Sequence, residues 1–102
     1  MPVEEMLSRL SDQDRADLQI AIRTLKGFGA QEVYLFGSMA RGDSDESSDW
    51  DFGVRLLPSE NYFQVLGELL TCLHREADLV DLFGGVRFGE MLEQMGELVR
   101  VA

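Results

Sequence analysis

Two aspartates, preceded by a Gly-Ser pair, are the residues of this 102-residue chain whose types and spacing point most directly to chemistry. Gly37 and Ser38 end a short apolar run, and Asp49 and Asp51 begin a segment in which polar and apolar residues alternate. Side chains two positions apart on a strand leave the same face, so the Cα atoms of the two aspartates are expected roughly 6–7 Å apart. Oxygen-only ligands suit Mg²⁺ or Mn²⁺. The sequence therefore predicts a site for two such cations beside a phosphoryl group.

The Gly-Ser pair predicts a phosphate-binding turn next to the cations. Gly37 allows a sharp turn and a close approach of the backbone to a ligand. Ser38 offers a hydroxyl and a backbone N–H at the start of a helical turn, where unpaired amides favour phosphate. Arg41 follows three residues later. It is placed either to neutralise a triphosphate or to pair with a neighbouring acid, and the spacing leaves both interpretations open.

A third carboxylate would complete the metal site, and a later predicted strand contains two candidates. Asp78 stands at the start of that strand and Asp81 lies within it. The two are three positions apart, so their side chains cannot face the same way on a regular strand. This alternation alone does not decide which of them is the third carboxylate. A lone Asp-x-Asp is usually a solvated strand end. The ordered pattern Gly-Ser-x10-Asp-x-Asp, in contrast, arises by chance in roughly one chain of this length in a thousand.

Hydrophobic periodicity predicts the elements that position these residues. Ser11 is expected to cap a helix that ends near Gly27, and residues 33–36 and 49–56 read as strands. Residues 60–75 predict a helix with an apolar stripe, whose members are Phe63, Leu66, Leu69, Leu70 and Leu73. A strand over 79–83, a helix over 88–95 and a short strand over 98–101 follow. The expected fold class is α/β (α+β), a small mixed sheet with helices on one face.

Composition excludes several classes of protein. Nine basic against nineteen acidic residues give a net charge of −10, which repels phosphate backbones and argues against direct nucleic-acid binding. No apolar run approaches the ~18 residues of a membrane span, and the N-terminus does not resemble a secretory signal. The lone Cys72 cannot form an internal disulfide, and His74, the single histidine, excludes a His-rich metal site. The expectation is one cytoplasmic domain over residues 1–102.

Three segments together resemble the minimal nucleotidyltransferases (MNT) of the DNA polymerase beta superfamily, over about residues 28–102. They are Gly-Ser-Met-Ala-Arg-Gly at 37–42, Ser-Asp-Trp-Asp-Phe at 48–52 and Ala-Asp-Leu-Val-Asp-Leu at 77–82. The resemblance implies a nucleotidyltransferase-like fold and the transfer of a nucleoside monophosphate from ATP with Mg²⁺. It also implies that Asp49, Asp51 and Asp78 are the catalytic metal ligands, with Asp81 as the alternative third acid, and that Gly37, Ser38 and Arg41 bind the nucleotide.

The same resemblance implies a partner protein. Many small members are antitoxins that form hetero-oligomers with an all-helical toxin of the HEPN type, and some add AMP to a tyrosine of that toxin. Two alternative functions compete with this one. One is a non-catalytic antitoxin that neutralises its partner by binding alone. The other, a drug-modifying transferase, is disfavoured because 102 residues leave little chain to enclose a second small substrate.

Overall fold

The protein is described by a computed structural model over residues 3–82 and 98–102. The helix expected over 88–95 and the end of the strand expected over 79–83 lie outside the described residues. The elements, in chain order, are α1 (Val3–Ser8), α2 (Asp12–Gly27), β1 (Glu32–Phe36), α3 (Ser38–Arg41), β2 (Trp50–Arg55), a 3-10 turn (Ser59–Asn61), α4 (Tyr62–Cys72), β3 (Ala77–Asp81) and β4 (Val99–Arg100).

The four described strands form one mixed sheet in the order β3-β2-β1-β4. β1 pairs antiparallel with both β2 and β4. β2 and β3 run parallel, because the chain passes through α4 between them and thus enters both strands from the same end of the sheet. The ends of β2 and β3 that carry the predicted acids therefore lie side by side.

One face of the sheet holds the core. Strand residues at alternate positions are buried there, and α2 and α4 supply the apolar side chains opposite them. The rings of Trp50 and Phe52 are both fully buried and stack with their centroids 5.6 Å apart. Burying a large apolar side chain contributes roughly 1.5–3 kcal/mol. The prediction of a small mixed sheet with helices on one face is confirmed.

Helix α4 differs from its prediction in both extent and orientation. It ends at Cys72 because Leu73 takes an extended conformation, so His74 lies in the connection to β3. Phe63 and Leu70, placed in the expected apolar stripe, are 82% and 52% exposed. The side that packs is Val65, Leu69 and Leu73, which recur every four residues. The expected stripe was therefore displaced around the helix, because it omitted the buried Val65 and included the exposed Phe63 and Leu70.

None of the helices in the described part of the chain is both long and apolar enough to cross a bilayer.

Candidate functional site

The parallel register of β2 and β3 places two predicted acids next to each other. Asp51 pairs directly with Asp78, and neighbouring strands lie about 4.8 Å apart. Each of the two residues stands between buried neighbours on its strand, so its side chain projects from the face of the sheet opposite the helices. Asp81 instead pairs with Val54, whose side chain is fully buried in the core. Strand alternation therefore assigns Asp78 to the face of Asp51, and Asp81 to the other face.

The charges of three aspartates act on one another at this point. Burial, followed by the negative charges of Asp78 and Asp49, raises the pKa of the Asp51 carboxyl, and Arg41 opposes that rise. A cation would relieve the repulsion that Asp78 and Asp49 exert on the Asp51 carboxylate. All of their donor atoms are oxygen, which is the preference of Mg²⁺ and Mn²⁺. The residues present thus fit the divalent cation that the sequence implies. We call Asp49, Asp51 and Asp78 the acid cluster.

Gly37 brings the phosphate-binding turn against the acid cluster. The register pairs Phe36 with Asp51, so the turn begins at the level of that carboxylate. Gly37 has φ +76° and ψ −159°, a combination that is essentially restricted to glycine. A Cβ atom added to it would lie 2.3 Å from Oδ2 of Asp51. Glycine is required here twice, once for its backbone angles and once for the space occupied by the carboxylate.

The other residues of the predicted turn follow directly. Ser38 begins α3, and Arg41 ends it. Arg41 lies 3.3 Å, through Nε, from Oδ2 of Asp43, with both side chains partly exposed. Of the two roles left open for Arg41, an ion pair with a neighbouring acid is therefore present. Its positive charge also opposes the rise in the pKa of Asp51, so the guanidinium stands close to the acid cluster.

Asp49 stands between two hollows at the surface. One, of about 300 Å³, is lined by the acid-cluster members Asp49 and Asp78 and by Leu66 and Leu70 of α4. The other, of about 650 Å³, lies beside the loop over residues 44–48. Asp49 itself is exposed. Its carboxylate is thus placed by the backbone around it and not by side-chain packing.

A second group of charged residues was missed by reasoning from the sequence. Asp14 and Asp17 of α2 are each only 5% exposed. Arg75 donates from Nε and Nη2 to the two carboxylate oxygens of Asp14, at 2.7 and 3.1 Å. His74 contacts Asp14 through Nε2 at 3.1 Å and Asp17 through Nδ1. We call these four residues the buried ion-pair network after its two buried carboxylates; His74 itself is exposed.

The network reaches the strand that carries the acid cluster. Nη1 of Arg75 donates to the carbonyls of Asp45 and Ser48, at 2.7 Å each. Oδ2 of Asp17 accepts from the indole N–H of Trp50 at 3.5 Å and from the amide of His74 at 3.0 Å. The bonds from Arg75 fix the main chain just before Asp49. The bond to Asp17 fixes the indole ring of Trp50, the residue after Asp49.

Within the buried ion-pair network, ligand atoms of Asp14, Asp17 and His74 lie within 4.8 Å of one another, a spacing that a metal ion could bridge. Both carboxylates already accept hydrogen bonds. Burial alone would raise the pKa of Asp14, but the hydrogen bonds and charge of Arg75 lower it below its usual range. The structure thus shows one carboxylate of the group, that of Asp14, whose charge is compensated by Arg75. A sequence signal existed, because Asp14 and Asp17 stand at helical spacing on the side of α2 that buries Leu18.

Comparisons with known proteins bear on the family and the fold of this chain. The sequence pattern of the family described as "Polymerase beta, Nucleotidyltransferase" matches residues 9–95. A crystal structure of a toxin-antitoxin with AMP-PNP is similar at 31% identity and a TM-score of 0.54. A structure of the toxin-antitoxin MntA-HpeT, with two aspartates two positions apart changed to glutamate, is similar at 28% identity and a TM-score of 0.53.

Each of the two alignments covers 65% of this chain and 56% of the solved chain. The protein therefore spans little more than half the length of those relatives. No curated protein sequence matches it.

Proposed function

This chain belongs to the Polymerase beta, Nucleotidyltransferase family, and on that premise we propose that it transfers AMP from ATP to a hydroxyl group of a toxin, for which it is the antitoxin. The observation that carries the proposal is the direct pairing of Asp51 with Asp78 beside the Gly37 turn. The pairing places two carboxylates beside a backbone turn suited to phosphate, and Asp49, two residues before Asp51, would add the third. The two solved toxin-antitoxin relatives, one of them with AMP-PNP, support the nucleotide and the antitoxin role.

The roles of the residues follow from their positions. Gly37 and Ser38 hold the terminal phosphates of ATP through the backbone at the start of α3, and Arg41 adds positive charge on the same side. Asp49 and Asp51 would hold the two Mg²⁺ ions, and Asp78 would complete the ligand set of one of them. Bound Mg²⁺ supplies positive charge for the attacking and leaving oxygens. In the transfer, the acceptor oxygen bonds to the α-phosphorus as the bond from that phosphorus to the oxygen shared with the β-phosphorus breaks. Pyrophosphate leaves, and the proton of the acceptor hydroxyl passes to solvent.

The acceptor proposed is a tyrosine of a HEPN-type toxin. The 300 Å³ hollow beside Asp49 and Asp78 opens to the surface, so that a side chain of another protein can reach the acid cluster. A net charge of −10 favours a partner with a basic surface. Because the acid cluster is open to water, we expect slow ATP turnover by this chain alone and efficient transfer once the toxin covers the site.

Mass spectrometry of the toxin tests the proposal. The toxin is incubated with this protein, ATP and Mg²⁺, and each transferred AMP adds about 329 Da. Changing Asp49 and Asp51 together to asparagine should abolish the gain in mass. The control variant, Glu46→Gln with Glu68→Gln, also removes two negative charges, but at exposed positions, and should leave the gain in mass unchanged. Neutralisation of the toxin without any mass change would favour the non-catalytic antitoxin instead.

A second pair of variants tests the third acid. Asp78→Asn should slow transfer at least 100-fold, since loss of a direct metal ligand should cost more than the 10- to 100-fold lost when a support of a ligand is removed. Asp81→Asn makes the same chemical change on the same strand, but on the face that carries Val54, and should keep most of the activity. The reverse result would show that the strand register does not identify the catalytic acid.

A further inference from the structure

We infer that Arg75, anchored by Asp14, is a positioning residue that holds Asp49 in the acid cluster; the inference rests on the function proposed above. The starting point is that Asp49 is exposed. An exposed carboxylate keeps a fixed position only when its main chain is fixed. The flanking contacts of that main chain therefore decide whether Asp49 is preorganised to bind a cation.

The loop before Asp49 contains little that could fix it by packing. Its residues over 43–48 are Asp, Ser and Glu, and all of them are at least partly exposed. Asp45 organises a local turn, because its Oδ1 accepts from the amide and hydroxyl of Ser47, and its amide donates to Oγ of Ser48. These bonds join the loop to itself and do not join it to the rest of the molecule.

Arg75 supplies the connection to the rest of the molecule. Its Nη1 donates to the carbonyls of Asp45 and Ser48 at 2.7 Å, at both ends of the local turn. The carbonyl of Ser48 belongs to the peptide that leads into Asp49. On the other side, the amide of Trp50 donates to the carbonyl of Glu76 at 2.8 Å. Asp49 is thus held on both sides by residues of the connection between α4 and β3.

Asp14 makes this arrangement of Arg75 rigid. The guanidinium meets the Asp14 carboxylate through two nitrogens, and the two side chains are 12% and 6% exposed. A two-point contact fixes the plane of the guanidinium, which leaves Nη1 directed at the loop. A lysine has the charge but not the planar, two-point contact, so it should replace Arg75 only in part.

The test measures binding of Mn²⁺ in the presence of AMP-PNP by titration calorimetry. Arg75→Gln should weaken Mn²⁺ binding 10- to 100-fold, which is the range found when the supports of metal ligands are removed. The Mn²⁺ affinity of Arg75→Lys should lie between that of Arg75→Gln and that of wild type. Arg23→Gln removes the same charge from an exposed position on α2 and should bind as wild type does. Ala21→Gly lowers stability inside α2 without touching the loop and serves as the control for destabilisation.

A second measurement separates positioning from mere support of the fold. Hydrogen exchange at the amides of residues 44–49 should quicken in Arg75→Gln and in Asp14→Asn, while exchange in β1 keeps the protection seen in Ala21→Gly. Saturating Mn²⁺ should restore most of the transfer rate in Arg75→Gln. If Arg75→Gln binds Mn²⁺ as tightly as wild type, or no more weakly than Ala21→Gly, the inference is wrong. If wild type binds no Mn²⁺ at all, the proposed function itself fails.

Discussion

Replacing Gly37 with alanine should disrupt the acid cluster more than it disrupts the fold. The added Cβ would lie 2.3 Å from Oδ2 of Asp51, whereas ordinary van der Waals contact begins at 3.4 Å. The carboxylate must therefore move by about 1 Å, while Mg²⁺ tolerates deviations of only ~0.2 Å from its ligand distances. The backbone angles add a strain of roughly 1–3 kcal/mol, which corresponds to about 4–8 °C in Tm per kcal/mol.

Gly42→Ala is the matched control at the other end of α3. Gly42 also has a positive φ, at +83°, so alanine there costs about 1–2 kcal/mol. Its Cβ meets the flexible side chain of Arg9, which is partly exposed and can move away. Thermal unfolding should show comparable losses for the two variants, and calorimetry with Mn²⁺ should show at least tenfold weaker binding in Gly37→Ala alone. Equal Mn²⁺ affinities in the two would refute the packing of Gly37 against Asp51 as a requirement of the site.

Three further outcomes are expected. Asp14→Asn should lower the free energy of unfolding by ~1–3 kcal/mol at neutral pH. Burial raises the pKa of Asp14, but Arg75 lowers it below its ordinary value in the folded state. The difference from wild type should therefore be complete above the unfolded pKa of about 3.9 and shrink as pH falls from there through the lowered folded-state pKa. Urea titrations between pH 3 and 7 measure this, and a constant difference would contradict it. Gly53→Ala places a Cβ 2.8 Å from Cδ1 of the buried Leu82. Overpacking should lower the free energy of unfolding by about 1–3 kcal/mol. Denaturant unfolding measures this loss, and an unchanged stability would exclude the close approach. Raising salt from about 0.1 to 0.5 M should slow association with a basic partner in stopped-flow mixing. An association rate that does not depend on salt would contradict electrostatic attraction between the two proteins.

The turn and the strands could be predicted because their signals are local. Gly37 ends an apolar run and must take unusual backbone angles, and the alternation over residues 49–56 identifies both β2 and its buried face. Ser11 was recognisable as the cap of α2, and its Oγ does accept from the amide of Asp14 at 3.1 Å. Each of these inferences depends on residues within a few positions of one another.

The missing information was tertiary. Parity showed that Asp78 and Asp81 face opposite ways, but only the register of β3 against β2 decides which of them meets Asp51. The bond between Asp14 and Arg75 joins residues 61 positions apart, so no local pattern reveals it. The extent to which α4 turns Phe63 toward solvent is likewise set by the sheet beneath the helix and not by the helix sequence.

The parallel pairing of β2 with β3 also constrains how this chain can change in length. If the deletion or insertion of one residue between Cys72 and Ala77 were taken up by the strand, β3 would shift by one position and every side chain of the strand would change face. Asp78 would then point into the core, and Leu79 would point at the cations. A change of two residues would restore the faces but displace Asp78 by about 6.6 Å along the strand. Active relatives that preserve this register should therefore keep the length of this connection fixed and accept their insertions elsewhere.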